Sequence, residues 1–247
     1  MVYRRQEKLE IIKNYPAQHI DFIMGREYNA IIIVRVPLLL TSLKQQKEFV
    51  WTSEMAYAIG LITTDGNLSP DGRHFDFTSN DVDLIETFKS CLNLTNRIGR
   101  KKSTYTGKFA HRVQFGDVFL YHKLVEIGLM PNKSKVVGAL KIPNDLFFDF
   151  LRGSLDGDGS IKTYHDPIFK NSVRLYVKFT SASLKHVLWL QDTITKLIKI
   201  KGYIRKNTRA FDLTYAKKDS IVLLKKIYYT ENLPCLKRKI NIAKNFI

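Results

Sequence analysis

The chain has 247 residues, 45% of them hydrophobic and 12% aromatic, which is enough apolar side chain to bury a sizeable core and excludes a disordered chain. Forty Lys and Arg against 23 Asp and Glu leave a net charge of +17, which points to a polyanionic partner, most simply nucleic acid. Two cysteines, Cys91 and Cys235, exclude a disulfide framework and a Cys-rich zinc site. The sequence shows no membrane-helix run and no apolar core of a signal peptide, so a soluble intracellular protein is expected.

Residues 1–50 carry no assigned role. Within them, residues 5–14 fit one short amphipathic helix, and residues 30–40 an apolar strand or packing segment interrupted by Arg35 and Pro37. A helix is expected from Thr52-Ser53-Glu54, a hydroxyl N-cap before an acidic first turn, to Gly66 as its C′ residue. A strand follows with Phe75 and Phe77 inward and His74, Asp76 and Thr78 outward. Next come a helix over residues 81–92, a basic hairpin over 97–115 and a helix over 118–127. The order then starts again. Pro143-Asn144-Asp145 opens a helix that Gly159 stops, and Leu175, Val177 and Phe179 share the inner face of a strand. A helix over 184–198, a hairpin over 200–215 and a helix over 220–229 complete it.

An internal repeat underlies this order. Residues 58–66 (Ala-Ile-Gly-Leu-Ile-Thr-Thr-Asp-Gly) align with residues 151–159 (Leu-Arg-Gly-Ser-Leu-Asp-Gly-Asp-Gly) at an offset of 93. Phe77-Thr78-Ser79 aligns with Phe179-Thr180-Ser181 at 102, and residues 113–117 align with 213–217 at 100. The extra residues fit a longer first hairpin in the second copy. The expected architecture is α/β, a pseudo-twofold duplication of an αββαββα unit with two antiparallel sheets. Residues 51–140 and 141–247 form the two units.

Each sheet is expected to keep one apolar face under helices and one basic, polar face suited to a nucleic-acid groove. The candidate contacts in the first unit are Arg73, His74, Asp76, Arg100, Lys101, Lys102, Lys108, Arg112 and Gln114. In the second they are Lys162, Lys170, Arg174, Tyr176, Lys178, Arg205, Lys206 and Arg209. Tyr3 and Tyr164 are further aromatic candidates. Charge is uneven: residues 161–247 hold 19 Lys and Arg against 5 Asp and Glu.

The repeated helices carry small residues four apart, Gly60 and Thr64 in one and Gly153 and Gly157 in the other. That spacing lies on one face and lets two backbones approach closely. Each helix also ends in an acid, Asp65 or Asp158, where the helix dipole disfavours negative charge. Two such carboxylates meeting at a pseudo-twofold axis repel unless protonated or bridged by a cation. They point to oxygen ligation of Mg²⁺ (or Mn²⁺), with the adjoining Gly66 and Gly159 as further candidate ligands, and to phosphodiester hydrolysis.

These segments resemble the signature helices of the LAGLIDADG homing endonucleases in their single-chain, two-motif form. Residues 153–159 are a near-consensus copy, and in residues 58–66 Thr63 replaces the first acid. Supporting matches are residues 128–134 with Ile142-Pro143, residues 150–153, and residues 232–239. The resemblance covers residues 50–247 and implies a monomer whose Asp65 and Asp158 bind catalytic metals. It implies a saddle of two sheets on a long, nearly asymmetric duplex DNA site, cut with 3′ overhangs. It also implies accessory groups: a lysine at Lys217, with Lys218 beside it, where the first unit has Asp117, and polar residues at Ser79 and Ser181. An intron RNA maturase, or a non-cleaving DNA-binding protein on the same scaffold, stays open as the alternative, with intron RNA then a partner.

Overall fold

The computed structural model describes residues 48–102, 107–169 and 171–247. The expectations for Tyr3, residues 5–14, residues 30–40 and Lys170 lie outside the described residues. Among the described residues no helix is long and apolar enough to cross a membrane.

Helix α1 (Ser53–Thr64) starts at Thr52, whose hydroxyl accepts from the Met55 amide as an N-cap. Strands β1 (Gly66–Leu68) and β2 (His74–Ser79), helix α2 (Val82–Cys91), strands β3 (Gly99–Lys102) and β4 (Phe109–Gly116) and helix α3 (Val118–Ile127) complete the first half. The second half repeats the order. It contains α4 (Phe147–Asp156), β5 (Ser160–His165), β6 (Val173–Ser181), α5 (Leu184–Ile198), β7 (Tyr203–Lys206), β8 (Phe211–Tyr215) and α6 (Lys217–Ile227). A last helix, α7 (Lys237–Ala243), was not expected from the sequence.

Each half has one antiparallel four-stranded sheet, ordered β1-β2-β4-β3 and β5-β6-β8-β7. The registers agree with the repeat: Phe77 faces Val113 in one sheet, and Phe179 faces Leu213 in the other. Phe75, Phe77, Leu175, Val177 and Phe179 are all buried, as the alternation predicts. Phe77 stacks on Phe88 of α2 at 4.2 Å, and Val187, Leu190 and Ile194 of α5 cover the second sheet.

Three boundaries differ from the periodicity. Gly66 begins a strand instead of adopting a left-handed cap, and it is needed because an added Cβ would stand 2.7 Å from the Ile62 Cα. Helix α4 stops at Asp156, so Asp158 lies beyond its cap, and a 3₁₀ turn (Asn144–Leu146) precedes its first turn. Helix α6 starts three residues earlier than the pattern suggests, which puts Lys217 and Lys218 in its first turn.

Helices α1 and α4 pack face to face at the centre. A Cβ at Gly60 would fall on the Phe150 carbonyl, and one at Gly153 on the Tyr57 carbonyl. Each glycine thus meets the residue three before the other, as a pseudo-twofold crossing requires. Gly157 lies against the Thr64 side chain, which completes the expected packing set. Beside the crossing, the fully buried Arg152 donates to Asp149 (2.7 Å) and to the carbonyls of Pro234 (2.9 Å) and Ile227 (3.0 Å). Every arm of the guanidinium is satisfied, the condition for tolerating a charge there. The same contacts tie α4 to the end of α6 and to the segment before α7.

Candidate functional site

Asp65 caps the end of α1, and Asp158 follows α4 by two residues, so the glycine crossing delivers both acids to the same end of the helix pair. They are close enough that the charge of Asp158 raises the Asp65 carboxyl. Burial is the larger cause, and together they push it up to about 7. Asp158 is more open to solvent, and its carboxyl is also pushed up by the protein packed around it.

Two buried lysines converge on these helix ends. Lys133, on a 3₁₀ turn after α3, donates to the Gly66 carbonyl. Lys239, on α7, donates to the carbonyls of Leu155, Asp156 (2.8 Å) and Gly159 (2.7 Å). A helix C-terminus exposes just such unpaired carbonyls, and a cation there meets the negative end of the dipole. Burial lowers both ammonium groups to about 8, while the neighbouring aspartates pull the other way. Their charges in turn oppose, without cancelling, the rise of the Asp65 and Asp158 carboxyls.

This arrangement corrects one expectation. Lys217 and Lys218 are exposed at the start of α6, off the end of β8. The Asp158 cleft lies at the other end, beside Ser181, which pairs with Phe211 at the start of β8, whereas Tyr215 at its end pairs with Val177. The lysines at the acids are Lys133 and Lys239. Gly66 and Gly159 offer their carbonyls to those lysines. The signal was present: residues 128–134 and 232–239 hold both lysines, but sequence does not show that they are buried.

Each acid has its own cleft. Asp65 shares one of about 230 Å³ with Ser79, Asp81, Asp156, Gly157 and Arg238. Asp158 shares one of about 100 Å³ with Thr64, Ser134, Thr180 and Ser181. The pattern crosses over, because each cleft pairs the acid of one helix with the residue preceding the acid of the other. Ser79 and Ser181 each accept from the amide two residues on, at 3.1 and 3.2 Å, which leaves the hydroxyl hydrogen to donate into the cleft. The clefts differ in one cation. Arg238 reaches the Asp65 cleft, held by Asp81 at 3.0 Å, where the Asp158 cleft has Ser134.

The donor set suits a hard divalent ion. Among the described residues there is no cluster of three His, Cys, Asp or Glu side chains able to cage a metal. The Asp158 cleft offers one carboxylate beside hydroxyl oxygens, and the Asp65 cleft offers Asp65, because its other two carboxylates are engaged, Asp81 by Arg238 and Asp156 by the Tyr57 hydroxyl and the Leu236 amide. That is the partial shell Mg²⁺ accepts when waters and phosphate oxygens fill the rest.

The outer faces of the sheets carry the other candidates. In the first sheet Asp76, Arg112, Gln114 and Lys101 share one face, with Asp76 accepting from Arg112 at 2.9 and 2.7 Å and from Lys101 at 3.3 Å. Burial pushes the Asp76 carboxyl up, but the two cations outweigh it and hold it below its usual range. In the second sheet Lys178 donates to Asp212 at 3.0 Å and Thr180 donates to it at 2.7 Å. The pair recurs at equivalent positions with its charges exchanged between strands, so the two faces differ. Lys162, Tyr176, Lys178 and Arg205 line one groove with Tyr164, Tyr203 and Asn207. Tyr164 stacks on Tyr176 at 5.7 Å and lies under Arg174, which Asp166 holds at 2.5 Å. Tyr203 and Asn207 were missed because their outward direction depends on register. The clusters at 100–102 and 205–206 divide by alternation. Lys101 and Arg205 face outward with Asp76 and Asp212, while Arg100, Lys102 and Lys206 take the other face. His74 is held by Asp71 at 2.5 Å beside Arg73, and Lys108 and Arg209 are exposed near the hairpin turns.

No family model and no curated protein matches the chain. Three solved structures show its fold. Full-length WhiA (DUF199) of Thermatoga maritima aligns at a TM-score of 0.52 and 16% identity, covering 79% of this chain and 63% of that one. The homing endonuclease I-WcaI, bound to its DNA recognition sequence, aligns at 0.50 and 16%, covering 78% and 88%. The LAGLIDADG meganuclease I-AabMI, bound to uncleaved DNA, aligns at 0.50 and 12%, covering 79% and 91%. The chain thus spans less than two thirds of the length of WhiA. It has the LAGLIDADG-like fold, with two antiparallel sheets about a central helix pair.

Proposed function

We propose that this chain is a DNA-binding, metal-dependent, site-specific endonuclease that acts as a monomer on a long, nearly asymmetric duplex. The observation that carries the reading is the pair of acids at the pseudo-twofold axis, each in its own cleft, within a protein of net charge +17. The DNA-bound homing endonucleases among its structural neighbours support the same reading.

The outer sheet faces bind the duplex, with Arg112 and Lys178 pre-oriented by Asp76 and Asp212 for groove contacts. Asp65 and Asp158 would hold divalent ions, and the chemistry such ions would supply there is water activation and charge neutralisation at the scissile phosphates. Lys133 and Lys239 keep the helix ends in place and offset the negative charge there. Ser79 and Ser181 present hydroxyl hydrogens toward the solvent in each cleft. Two cuts from two clefts across the minor groove leave 3′ overhangs.

Incubation with a plasmid library carrying randomised target sites, with Mg²⁺ or with EDTA, tests this. Linear product in Mg²⁺ alone is expected, and tight binding with no cutting assigns the chain to the non-cleaving or maturase alternative. On a cleaved site labelled on each strand, Arg238→Ala is expected to slow one strand by about tenfold or more, the effect of removing one charge-stabilising donor. The other strand should keep its rate, so nicked duplex accumulates, and Arg238→Lys should partly restore the balance. Equal slowing of both strands would remove Arg238 from the Asp65 cleft chemistry.

A further inference from the structure

The first hairpins of the two halves differ in length. Phe77 follows Asp65 by 12 residues, whereas Phe179 follows Asp158 by 21. In the first half the hairpin stays inside the sheet: β1 pairs with β2 from Gly66 opposite Phe77 to Leu68 opposite Phe75, and β4 lies along that whole stretch of β2. In the second half β8 pairs with β6 only from Val177 onward, while β5 continues along β6 to His165 opposite Val173. The residue pairs from Lys162 opposite Tyr176 to His165 opposite Val173 therefore project past the sheet as a two-stranded arm. Four pairs at the strand rise span about 14 Å, roughly four base pairs of duplex.

Both turns are built by the same device. Asp71 accepts from the Arg73 and His74 amides on one oxygen, at 3.0 Å each, and its other oxygen holds the His74 ring at 2.5 Å. Asp166 accepts from the Ile168 and Phe169 amides on one oxygen, at 2.9 and 3.1 Å, and from the Arg174 side chain on the other, at 2.5 Å. The turn thus needs a carboxylate and backbone amides, not the side chains it presents. Those side chains are Arg73 and His74 in one half and Ile168 and Phe169 in the other. Ile168 is 78% exposed and Phe169 68%, the two most open large apolar side chains among the described residues. Neither gains the burial that an apolar residue has in a core, and together they put an apolar tip on a basic ribbon.

Asp166 also fixes the side toward which the tip folds. By alternation Lys162, Tyr164, Arg174, Tyr176 and Lys178 share the outer face of the sheet, opposite the buried Leu175 and Val177. Arg174 lies over the Tyr164 ring on that face, so the carboxylate that grips Arg174 draws the Ile168 and Phe169 amides to the same side. The Ser172 amide donates to the Phe169 carbonyl at 2.8 Å and closes the turn. The groove that holds Lys162 and Lys178 thus continues along the arm and ends in two fixed apolar side chains. A basic β-ribbon fits the major groove, where the group that suits an apolar side chain is the thymine 5-methyl. We propose that Ile168 and Phe169 read thymine methyl groups at the outer flank of the half-site under the second sheet. This rests on the outer sheet faces being the duplex-binding surface, as proposed above, and not on cleavage.

The test selects duplexes that the full chain retains from a random pool in EDTA, so that no cutting is required. Thymines are expected to recur at one outer flank of the selected site. Replacing them with deoxyuridine removes only the methyl groups and should lower affinity by about fourfold for each methyl in contact. The same replacement at the opposite flank should change affinity by less than about twofold. Ile168→Ala with Phe169→Ala should weaken binding of the thymine duplex about tenfold and abolish its response to deoxyuridine. The salt dependence should stay the same, because no phosphate contact is lost. Unchanged melting confirms that the variant is folded, and the deoxyuridine series on the wild type needs no variant. A selected duplex that binds equally well with deoxyuridine, or a double variant that still responds to it, would overturn the assignment and leave DNA binding standing. A pool from which no duplex is retained would overturn the duplex-binding reading, and this assignment with it.

Discussion

Asp65→Asn and Asp158→Asn are each expected to lower double-strand cleavage by about a thousandfold or more, while duplex affinity at fixed salt stays within about threefold. The reason is where the charges sit. Each acid lies in its own cleft, whereas the cations proposed to attract the duplex lie on the outer faces of the sheets. A nicked product from either variant would show that the clefts act on separate strands. A comparable loss of binding in both would mean that the acids are structural.

The same substitution at Asp65 has an opposite effect on stability. Burial and the charge of Asp158 push its carboxyl up to about 7, so the folded protein holds that proton more tightly than the unfolded chain does. The resulting penalty is absent below pH ~4, grows as pH rises and is complete above about 7. In EDTA at pH 8, Asp65→Asn should therefore stabilise the protein by about 2 kcal/mol, allowing for partial exposure, and the gain should shrink at pH 5. A catalytic group kept at a cost in stability has this signature. Thermal melts at the two pH values check it.

Gly60→Ala and Gly153→Ala are expected to lower the melting temperature by roughly 6–12 °C each, the equivalent of about 3 kcal/mol in a chain of this size. Helix propensity alone predicts the opposite, a gain of about 1 kcal/mol for Ala over Gly. Packing wins because the new methyl has no free volume. At Gly60 it meets the Phe150 carbonyl and stands 2.8 Å from the Ser154 amide nitrogen, and at Gly153 it meets the Tyr57 carbonyl. These are backbone atoms, so the helices must separate, and the two clefts at their ends lose their geometry with them. Gly138 is the control. A Cβ there meets nothing within 4 Å, and Gly138→Ala should be neutral or slightly stabilising. Wild-type melting of both helix variants would show that α1 and α4 do not cross through these glycines.

Much of the fold is legible in the sequence because the repeat states it twice. Phe77 and Phe179, Gly60 and Gly153, and Asp65 and Asp158 recur at nearly constant offsets, and each pair performs one structural task. Alternation along β6 and the spacing of α5 are local, so neighbouring residues suffice to read them. The boundaries slipped where capping is not made by side chains. Helix α6, which has no such cap, begins at Lys217 instead of Ser220, and α4 ends at Asp156 instead of Gly159.

The site was half legible. Its acids are anomalous in their own helices and can be found from the chain alone. Its cations cannot, since Lys133 lies 67 residues from the carbonyl it holds and Lys239 lies 80 from Gly159. Segments 128–134 and 232–239 contain them, but nothing in those segments shows that these two of 40 basic residues are buried. Periodicity, glycine spacing and misplaced charge are properties of short segments, and they determined the duplicated architecture, the helix crossing and the two carboxylates. Burial and strand register are properties of the packed chain, set by what each segment meets across the core. They alone decided which lysines neutralise the helix ends, that Arg238 enters one cleft only, and that Asp76 and Arg112 exchange charges with Lys178 and Asp212 between the two faces.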